Sequence, residues 1–455
     1  MLRLKDMNKI FSSLLLASSA LAFTACVGEQ AEIFDKSAAE RLDEIKGVYA
    51  QRMVADGGAW VMEYYPTNEA EAPKGSGYLM TCRFTPDYRV TVAMNNEVTS
   101  NLYTESTSCW EILTDDGPVL SFNSYNDVLH TFSTPMDIPS TKDDDELGRG
   151  YEGDYEFVIT RLEENCTDAM LKGKKRGTYN RLTRLPAGTD FKQYISDVES
   201  FKNSKFPVGG NDLRFTLNGK LHYVKNMGGM MPNIYPADGD VVINKDLRTY
   251  LIIKKDGKYY LRFREAFGEG DQKEQEFVYN EDNDEFVGVV NSENALRGIS
   301  DDELPYYLNG PGGTVMGFGV TETVSRSALF EQMVNAISEG FSNYKSYVLN
   351  SIRLTVTDEG TALNLVLNYK VNRSTKSVAL KAKFTANEAG ILIDEWQSTN
   401  SDGRDLLAGI PALKAFVEKL TGKYDIKVVG SRLNISEMRF DSMTDSEFWF
   451  SSICK

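Results

Sequence analysis

The sequence predicts a mainly β (α+β) fold: antiparallel meanders or barrel-like sheets with three to four amphipathic helices. Three observations carry this expectation. Short runs rich in β-branched and aromatic residues recur along most of the chain. Turn pairs such as Asn218-Gly219, Asp238-Gly239 and Asp256-Gly257 separate them. Only a few segments change to the three- and four-residue spacing of a helix. The order helix, then meander, recurs three times with no sequence repeat behind it, so it reads as architecture.

The N-terminus comes first. Met7-Asn8-Lys9 is a polar, basic start; Ile10 to Phe23 is apolar and Ser/Ala-rich; Thr24-Ala25-Cys26 closes it. This is the order of a secretory signal, too short and too early for a spanning helix. A Cys directly after Thr-Ala resembles a bacterial lipobox, which implies cleavage before Cys26 and lipid on its thiol and new amine. Residues 1–25 are then a lipoprotein signal peptide and 26–36 an acidic tether. Next, Ser37-Ala38-Ala39-Glu40 is a capping box, in which Ser and Glu each satisfy an orphan backbone N–H. The apolar face of its helix is Phe34, Ala38, Leu42, Ile45, Tyr49 and Met53.

Strand-like runs follow at Trp60–Tyr65, Tyr78–Phe84, Val90–Met94, Cys109–Leu113, Val119–Asn123, Val128–Phe132, Tyr155–Arg161 and Thr178–Leu185. Phe191, Tyr194, Ile195, Val198 and Phe201 mark a second helix, which ends near Pro207-Val208-Gly209-Gly210. A second β block has its best strands at Tyr250–Ile253, Tyr259–Phe263, Glu276–Tyr279 and Phe286–Val290. Leu329, Phe330, Met333, Val334, Ile337, Phe341 and Tyr344 form a third helix face, and another meander follows. Pro411 opens a short helix that Gly422 caps. The expected division is 37–206 (N-terminal helix plus β domain), 207–320 (middle β block) and 321–455 (C-terminal helix plus β block).

Composition limits the function. The chain has 455 residues and a formal charge of −16, or about −18 without the signal segment. Such a chain repels nucleic acid and anionic surfaces unless it hides a basic patch, and no nucleic-acid partner is expected. The densest basic run, Lys172-Gly173-Lys174-Lys175-Arg176, reads as a solvated hairpin. Export permits disulfides, and Cys82, Cys109, Cys166 and Cys454 allow three pairings between which the sequence does not choose.

Motifs of the common hydrolases do not occur. The two histidines, His130 and His222, lie in different β blocks and outside H-E-x-x-H, and there is no Walker A loop, G-x-S-x-G elbow or S-x-x-K. No catalytic or metal-binding residue is assigned. Grouped carboxylates at Asp143-Asp144-Asp145-Glu146 and at Asp282-Asn283-Asp284 could hold calcium, but neither follows the D-x-[DN]-x-[DN]-G pattern, and solvated acidic loops are the default. Aromatic residues on a β scaffold suit sugars or peptides. Those expected to meet a ligand lie in loops: Met230, Met231 and Tyr235, and Tyr306 with Tyr307 before a Gly-rich loop.

Four phrases taken together resemble a known family: Phe34-Asp35-Lys36-Ser37-Ala38-Ala39-Glu40-Arg41-Leu42, Trp60-Val61-Met62-Glu63-Tyr64-Tyr65-Pro66, Leu120 through His130, and Gly153-Asp154-Tyr155-Glu156-Phe157. The set resembles an uncharacterised Bacteroidetes lipoprotein family, a domain of unknown function, whose members are often encoded beside starch-utilisation-type outer-membrane importers. The resemblance implies a lipid-anchored outer-membrane protein, with the cell surface its expected face ahead of the periplasmic one. It implies as partners a TonB-dependent channel and its lid lipoprotein, and it carries no catalytic residue. Asn126, His130 and Asp154 in these phrases are expected to tie backbone groups at a sheet end. The expected function is non-catalytic capture of an oligosaccharide or peptide. The alternatives are a carboxylate-dependent hydrolase or a structural component of a transporter complex with no ligand of its own.

Overall fold

The computed structural model describes residues 36–69, 74–115, 117–138, 147–229, 231–238, 246–304, 325–357, 361–387 and 390–453. Cys26, Asp143 to Glu146, Met230, Tyr306, Tyr307 and Cys454 lie outside the described residues.

Helix α1 (Ala38–Val54) starts at the capping box, where Ser37 N donates to Glu40 Oε2 at 2.9 Å. Nine strands follow: β1 (Ala59–Tyr64), β2 (Tyr78–Phe84), β3 (Arg89–Met94), β4 (Thr104–Cys109), β5 (Glu111–Thr114), β6 (Pro118–Ser121), β7 (Glu156–Leu162), β8 (Asp168–Gly173) and β9 (Tyr179–Arg184). Their order in the sheet is β4-β3-β2-β1-β9-β8-β7-β6-β5, so the first strand pairs with the last. The two edge strands, β4 and β5, are separated only by Trp110, whose N donates to Tyr88 O beside β3 while β5 pairs with β6. They are one bent strand that changes neighbours. Counted so, the sheet is an eight-stranded up-and-down ring in which every pairing is antiparallel. A ring of that size is just wide enough for side chains to fill. Trp60, Met62, Met80, Val92, Ile112, Phe157 and Leu171 are among those that fill it. Helix α1 packs against β5 and adds Met53 to that core.

The second unit repeats the plan. Helix α2 (Phe191–Lys205) precedes β10 (Leu213–Leu217), β11 (Lys220–Lys225), β12 (Asn233–Pro236), β13 (Asp246–Leu247), β14 (Tyr250–Lys255), β15 (Lys258–Phe267), β16 (Glu274–Asn280), β17 (Glu285–Gly288) and β18 (Ala295–Arg297). The order is β13-β12-β11-β10-β18-β17-β16-β15-β14, again closed first strand to last and again broken at the fourth position. Helix α2 packs on β14, the counterpart of β5.

The likeness extends to single residues. In the first barrel Asp154 is 5% exposed, and its carboxylate accepts from Lys175 N at 3.0 Å and Arg176 N at 2.8 Å in the last hairpin. In the second, Glu274 is 1% exposed and accepts from Val290 N and Asn291 N of the matching hairpin. In each case the penultimate strand ends in glycine, and a Cβ there would lie 2.2 Å (Gly173) or 2.4 Å (Gly288) from the carboxylate oxygen.

The third sheet is a seven-stranded meander, β19 (Val348–Thr357), β20 (Ala362–Val371), β21 (Ser374–Asn387), β22 (Gly390–Ser398), β23 (Gly422–Val429), β24 (Glu437–Ser442) and β25 (Trp449–Ile453). Helix α3 (Ala328–Lys345) precedes it, and α4 (Ser401–Gly409) with α5 (Pro411–Leu420) connects β22 to β23. The described residues thus hold five α-helices where the sequence predicts three to four. The unforeseen one is α4, a nine-residue helix that carries two glycines, Gly403 and Gly409, which are poor helix formers. Both are close approaches: a Cβ on Gly403 would meet Ser398 Oγ at 2.3 Å, and one on Gly409 the Tyr344 ring at 2.1 Å.

Val128 to Phe132 is not the strand the sequence suggests but a turn leading into a 3-10 helix, His130–Ser133. Asn126 causes this. Its Oδ1 accepts from Val128 N and Leu129 N, both at 3.1 Å, and its Nδ2 donates to Ser106 O at 2.9 Å. Such local bonds compete with a sheet ladder. Asn126 N in turn donates to His130 Nδ1 at 3.1 Å, so the ring is neutral at that nitrogen, and burial lowers its pKa from the ordinary 6.5.

The barrels meet through charge. Glu63, Thr183, Arg181 and Asp168 share the outer face of β1, β9 and β8 by register. Arg262 on β15, 1% exposed, faces them: its Nη1 donates to Glu63 Oε1 at 2.6 Å and Thr183 Oγ1 at 2.8 Å, and its Nε donates to Glu276. Arg181 also reaches Glu276 at 3.4 Å and Asp168 at 2.8 Å.

Two outcomes are expected. Arg262→Ala strands the buried Glu63 carboxylate and leaves the half-buried Glu276 only Arg181, and should cost about 3 kcal/mol in urea unfolding, while Arg262→Met combined with Glu63→Leu and Glu276→Leu should recover most of the loss. An unfolded His130 takes up a proton near pH 6.5, where the folded ring does not. Stability from this site is therefore full above that pH and declines below it. Thermal unfolding between pH 7 and pH 5 should show a shallower pH slope for His130→Gln than for wild type, whatever its absolute stability.

Candidate binding site

The phrases around Asn126–His130 and Gly153–Phe157 come together at one end of the first barrel. Asn126, His130 and Asp154 are used internally, as the bonds above show. Their neighbours are not. Tyr125 is 63% exposed and Tyr155 is 42% exposed. Their rings flank His130, with centroids at 5.2 Å and 4.7 Å and the Tyr155 ring stacked on the imidazole at 27°. The Asn126 turn fixes His130, and His130 fixes the spacing of the two tyrosines.

A groove of about 490 Å³ runs beside these rings. Glu111, Ser121 and Glu156 sit in register on β5, β6 and β7 along it. Asn123 Nδ2 donates to Glu111 Oε1 at 2.8 Å, and Ser121 Oγ to Glu156 Oε1 at 3.3 Å. A second groove of about 580 Å³ shares Ser133, Tyr155 and Glu156 and continues past Arg149, Lys174 and Lys175. The basic run is the β8–β9 hairpin and is held by acids: Arg176 pairs with Glu152 at 2.5 Å and Lys174 with Asp115 at 2.7 Å. Burial alone would raise the pKa of Glu152, but Arg176, Arg149 and Lys74 hold it below the usual carboxylate range. Asp154 is shifted upward by burial despite its two amide bonds. The surface combines exposed aromatic faces with carboxylate, amide and ammonium groups. That set matches the apolar and hydroxyl faces of a sugar ring.

Other residues singled out from sequence fall elsewhere. Met231 is half-buried in the β11–β12 hairpin, and Tyr235 is a buried residue of β12, 5.8 Å from the Tyr223 ring centroid. Asp284, weighed for calcium, accepts from Lys205 Nζ at 2.5 Å, Tyr279 OH at 2.7 Å, Ser431 Oγ at 2.7 Å and Arg432 N at 2.6 Å, which fastens the β23–β24 loop to the second barrel. Burial would raise the Asp284 pKa, but the bonds from Lys205, Ser431 and Tyr279 hold it low. Among the described residues no three His, Cys, Asp or Glu side chains converge as metal ligands. Cys82, Cys109 and Cys166 are free thiols. Cys82 points into the first barrel, where burial pushes its pKa up to about 12, and β3 lies between it and Cys109.

Sequence reasoning missed Tyr125 and Tyr155. The available signal was an aromatic residue directly beside each buried polar anchor, before Asn126 and after Asp154.

No curated protein matches the chain. Among solved structures, that of a point mutant of the vaccine antigen transferrin binding protein B from Haemophilus parasuis is 10% identical, covering 87% of this chain and 73% of that one. Its TM-score of 0.13 carries no argument about fold. A family model described as a domain of unknown function, DUF4302, matches residues 30–283, which take in α1, the first barrel and the second barrel as far as the β16–β17 turn. That span is more than half of the chain, and the protein belongs to the DUF4302 family.

Proposed function

We propose that this protein is a lipid-anchored, non-catalytic accessory lipoprotein of an outer-membrane nutrient-capture system, and that the Tyr125–Tyr155 surface holds an oligosaccharide. The observation that carries the reading is the pair of exposed rings braced on His130 and bordered by Glu111, Asn123 and Glu156. Exposed tyrosines held this rigidly lose little entropy when a ligand stacks on them. The signal ending in Cys26 supports the anchor. No helix among the described residues is long and apolar enough to cross a membrane. The nutrient setting and a TonB-dependent channel with its lid lipoprotein as partners rest on the family resemblance of the sequence, as does the cell-surface face.

A second reading has one observation in its favour. Glu111 and Glu156 flank Ser121 on one face of the sheet, two carboxylates along a groove that would seat a sugar. A carboxylate-dependent glycoside hydrolase would use such a pair. Its products would appear on incubation with the bound oligosaccharide, and Glu156→Gln would abolish them.

On a glycan array the wild-type protein should retain oligosaccharides. Tyr125→Ala and Tyr155→Ala should each weaken the best binder about tenfold, or about 1.4 kcal/mol. Retention of peptides alone, or of nothing, would overturn the reading. Cys26→Ala should move the protein from the membrane fraction to the soluble fraction, and persistence on membranes would refute the anchor.

A further inference from the structure

A different cavity lies where the two barrels meet. It measures about 370 Å³ and is walled by the β3–β4 turn, one face of α2 and the first residues of β14. A site between two domains, of this size and with one apolar wall, is typical of small-molecule binding. The apolar wall is Ile195, Val198 and Leu251.

The polar side is built around α2. Glu199 and Lys202 are three positions apart and so share a helix face. Asn95 Nδ2 donates to Glu199 Oε2 at 2.8 Å, which brings the β3–β4 turn against that face, and Asn95 Oδ1 is buried with no hydrogen-bond partner. The Lys202 stem lies against Tyr250, with Nζ 5.8 Å from the ring centroid. Among the described residues nothing hydrogen-bonds or ion-pairs with its ammonium. Burial depresses the Lys202 pKa, with Glu97 and Glu199 opposing, and burial raises that of Glu199. Every other buried or half-buried charge described above has a close partner; this one faces a cavity.

The charges indicate the ligand class. One cation stands against two carboxylates, Glu97 and Glu199, so an anionic ligand is repelled. A hydroxyl group both donates and accepts, and so suits an unpaired donor beside carboxylate acceptors. We propose that the junction cavity is a second ligand site, for a neutral polyhydroxylated molecule the size of a mono- or disaccharide, with its C–H face on Ile195 and Val198 and its hydroxyls on Lys202 and Glu199. The site is independent of the Tyr125–Tyr155 surface, which lies on the first barrel alone.

Isothermal titration of the full chain with the methyl glycosides of glucose, galactose and mannose, and with maltose and cellobiose, tests this. At least one should bind saturably. Lys202→Met keeps the apolar stem and removes the ammonium, and should weaken that binding at least tenfold, or about 1.4 kcal/mol. Glu199→Gln should weaken it too, and carries the test if Lys202→Met does not fold. The Tyr125→Ala/Tyr155→Ala double variant should bind as wild type does. Absence of binding by wild type to every sugar in the set overturns the proposal, as does wild-type affinity in both α2 variants. Loss in the tyrosine variant alone would place the sugar on the first surface and overturn only the cavity site.

Discussion

Two filled barrels hold a fixed relation only if something specific crosses between their walls, and here the Arg262 guanidinium does so. It projects outward from β15, is removed from water, and is met by Glu63 and Thr183 of one barrel and Glu276 of its own. Burying a guanidinium and carboxylates together is costly, and the pairing offsets that cost only with good geometry. Arg262 Nη2 has no partner, so the geometry is incomplete. The cluster is better understood as a register device than as a net source of stability. It favours one mutual placement, because a shift along β15 would part the guanidinium from Glu63 and Thr183 and leave the buried Glu63 carboxylate unpaired. Helix α2 then has a fixed place between the barrels, with Val61 and Ala93 of the first and Leu261 of the second in one continuous core with it. The junction cavity exists because that placement is fixed.

Each barrel also solves the same local problem in the same way. Closing the first strand against the last leaves the final hairpin exposed at the rim, with backbone amides pointing inward. Asp154 and Glu274 meet two successive amides each, and Gly173 and Gly288 leave room for the carboxylates. Different residue types, one with a longer stem, reach equivalent positions. That is why the repeat is visible in topology and bonding while the sequences show none. In the first barrel the clasp also positions the next residue, Tyr155, at the rim, so a device for closure serves to present an aromatic ring.

Much of the local structure was legible in the chain because it depends on neighbours in sequence. The capping box at Ser37 and Glu40, the bounds of β2 and the buried face of α3 each follow from a short-range pattern. Mainly β content and the helix-then-meander order follow as well. Ring closure was not legible, since pairing of β1 with β9 depends on bend and twist summed over eight strands. Nor was the bent strand at Trp110, where Cys109 to Leu113 reads as one strand and the Ser/Thr-rich β4 before it carries no apolar alternation. For the site, the phrases holding Asn126, His130 and Asp154 stood out, and their expected part in tying backbone groups matches the bonds they make. The exposure of Tyr125 and Tyr155 could not be read, because an aromatic residue next to a strand is most often core.

Asp284 links these levels. In sequence it belongs to an acidic turn that invites a cation. In the fold it has positive φ at the tip of the β16–β17 hairpin and receives an ammonium, a phenol, a hydroxyl and a backbone amide, two of them from the third sheet. A carboxylate with four protein donors has little capacity left for a metal ion. Acidic character in this chain therefore does not by itself mean solvated loops or metal affinity. At Glu63, Asp154, Glu274 and Asp284 it is used inward, to fasten one barrel to another, hairpins to barrel rims, and the third sheet to the second. The carboxylates left to face a groove without such duty are few: Glu111 and Glu199 are each held by a single neutral hydrogen-bond donor, Asn123 and Asn95, and Glu156 by Ser121 and the Lys174 ammonium at 3.4 Å, and each lines or borders a cavity.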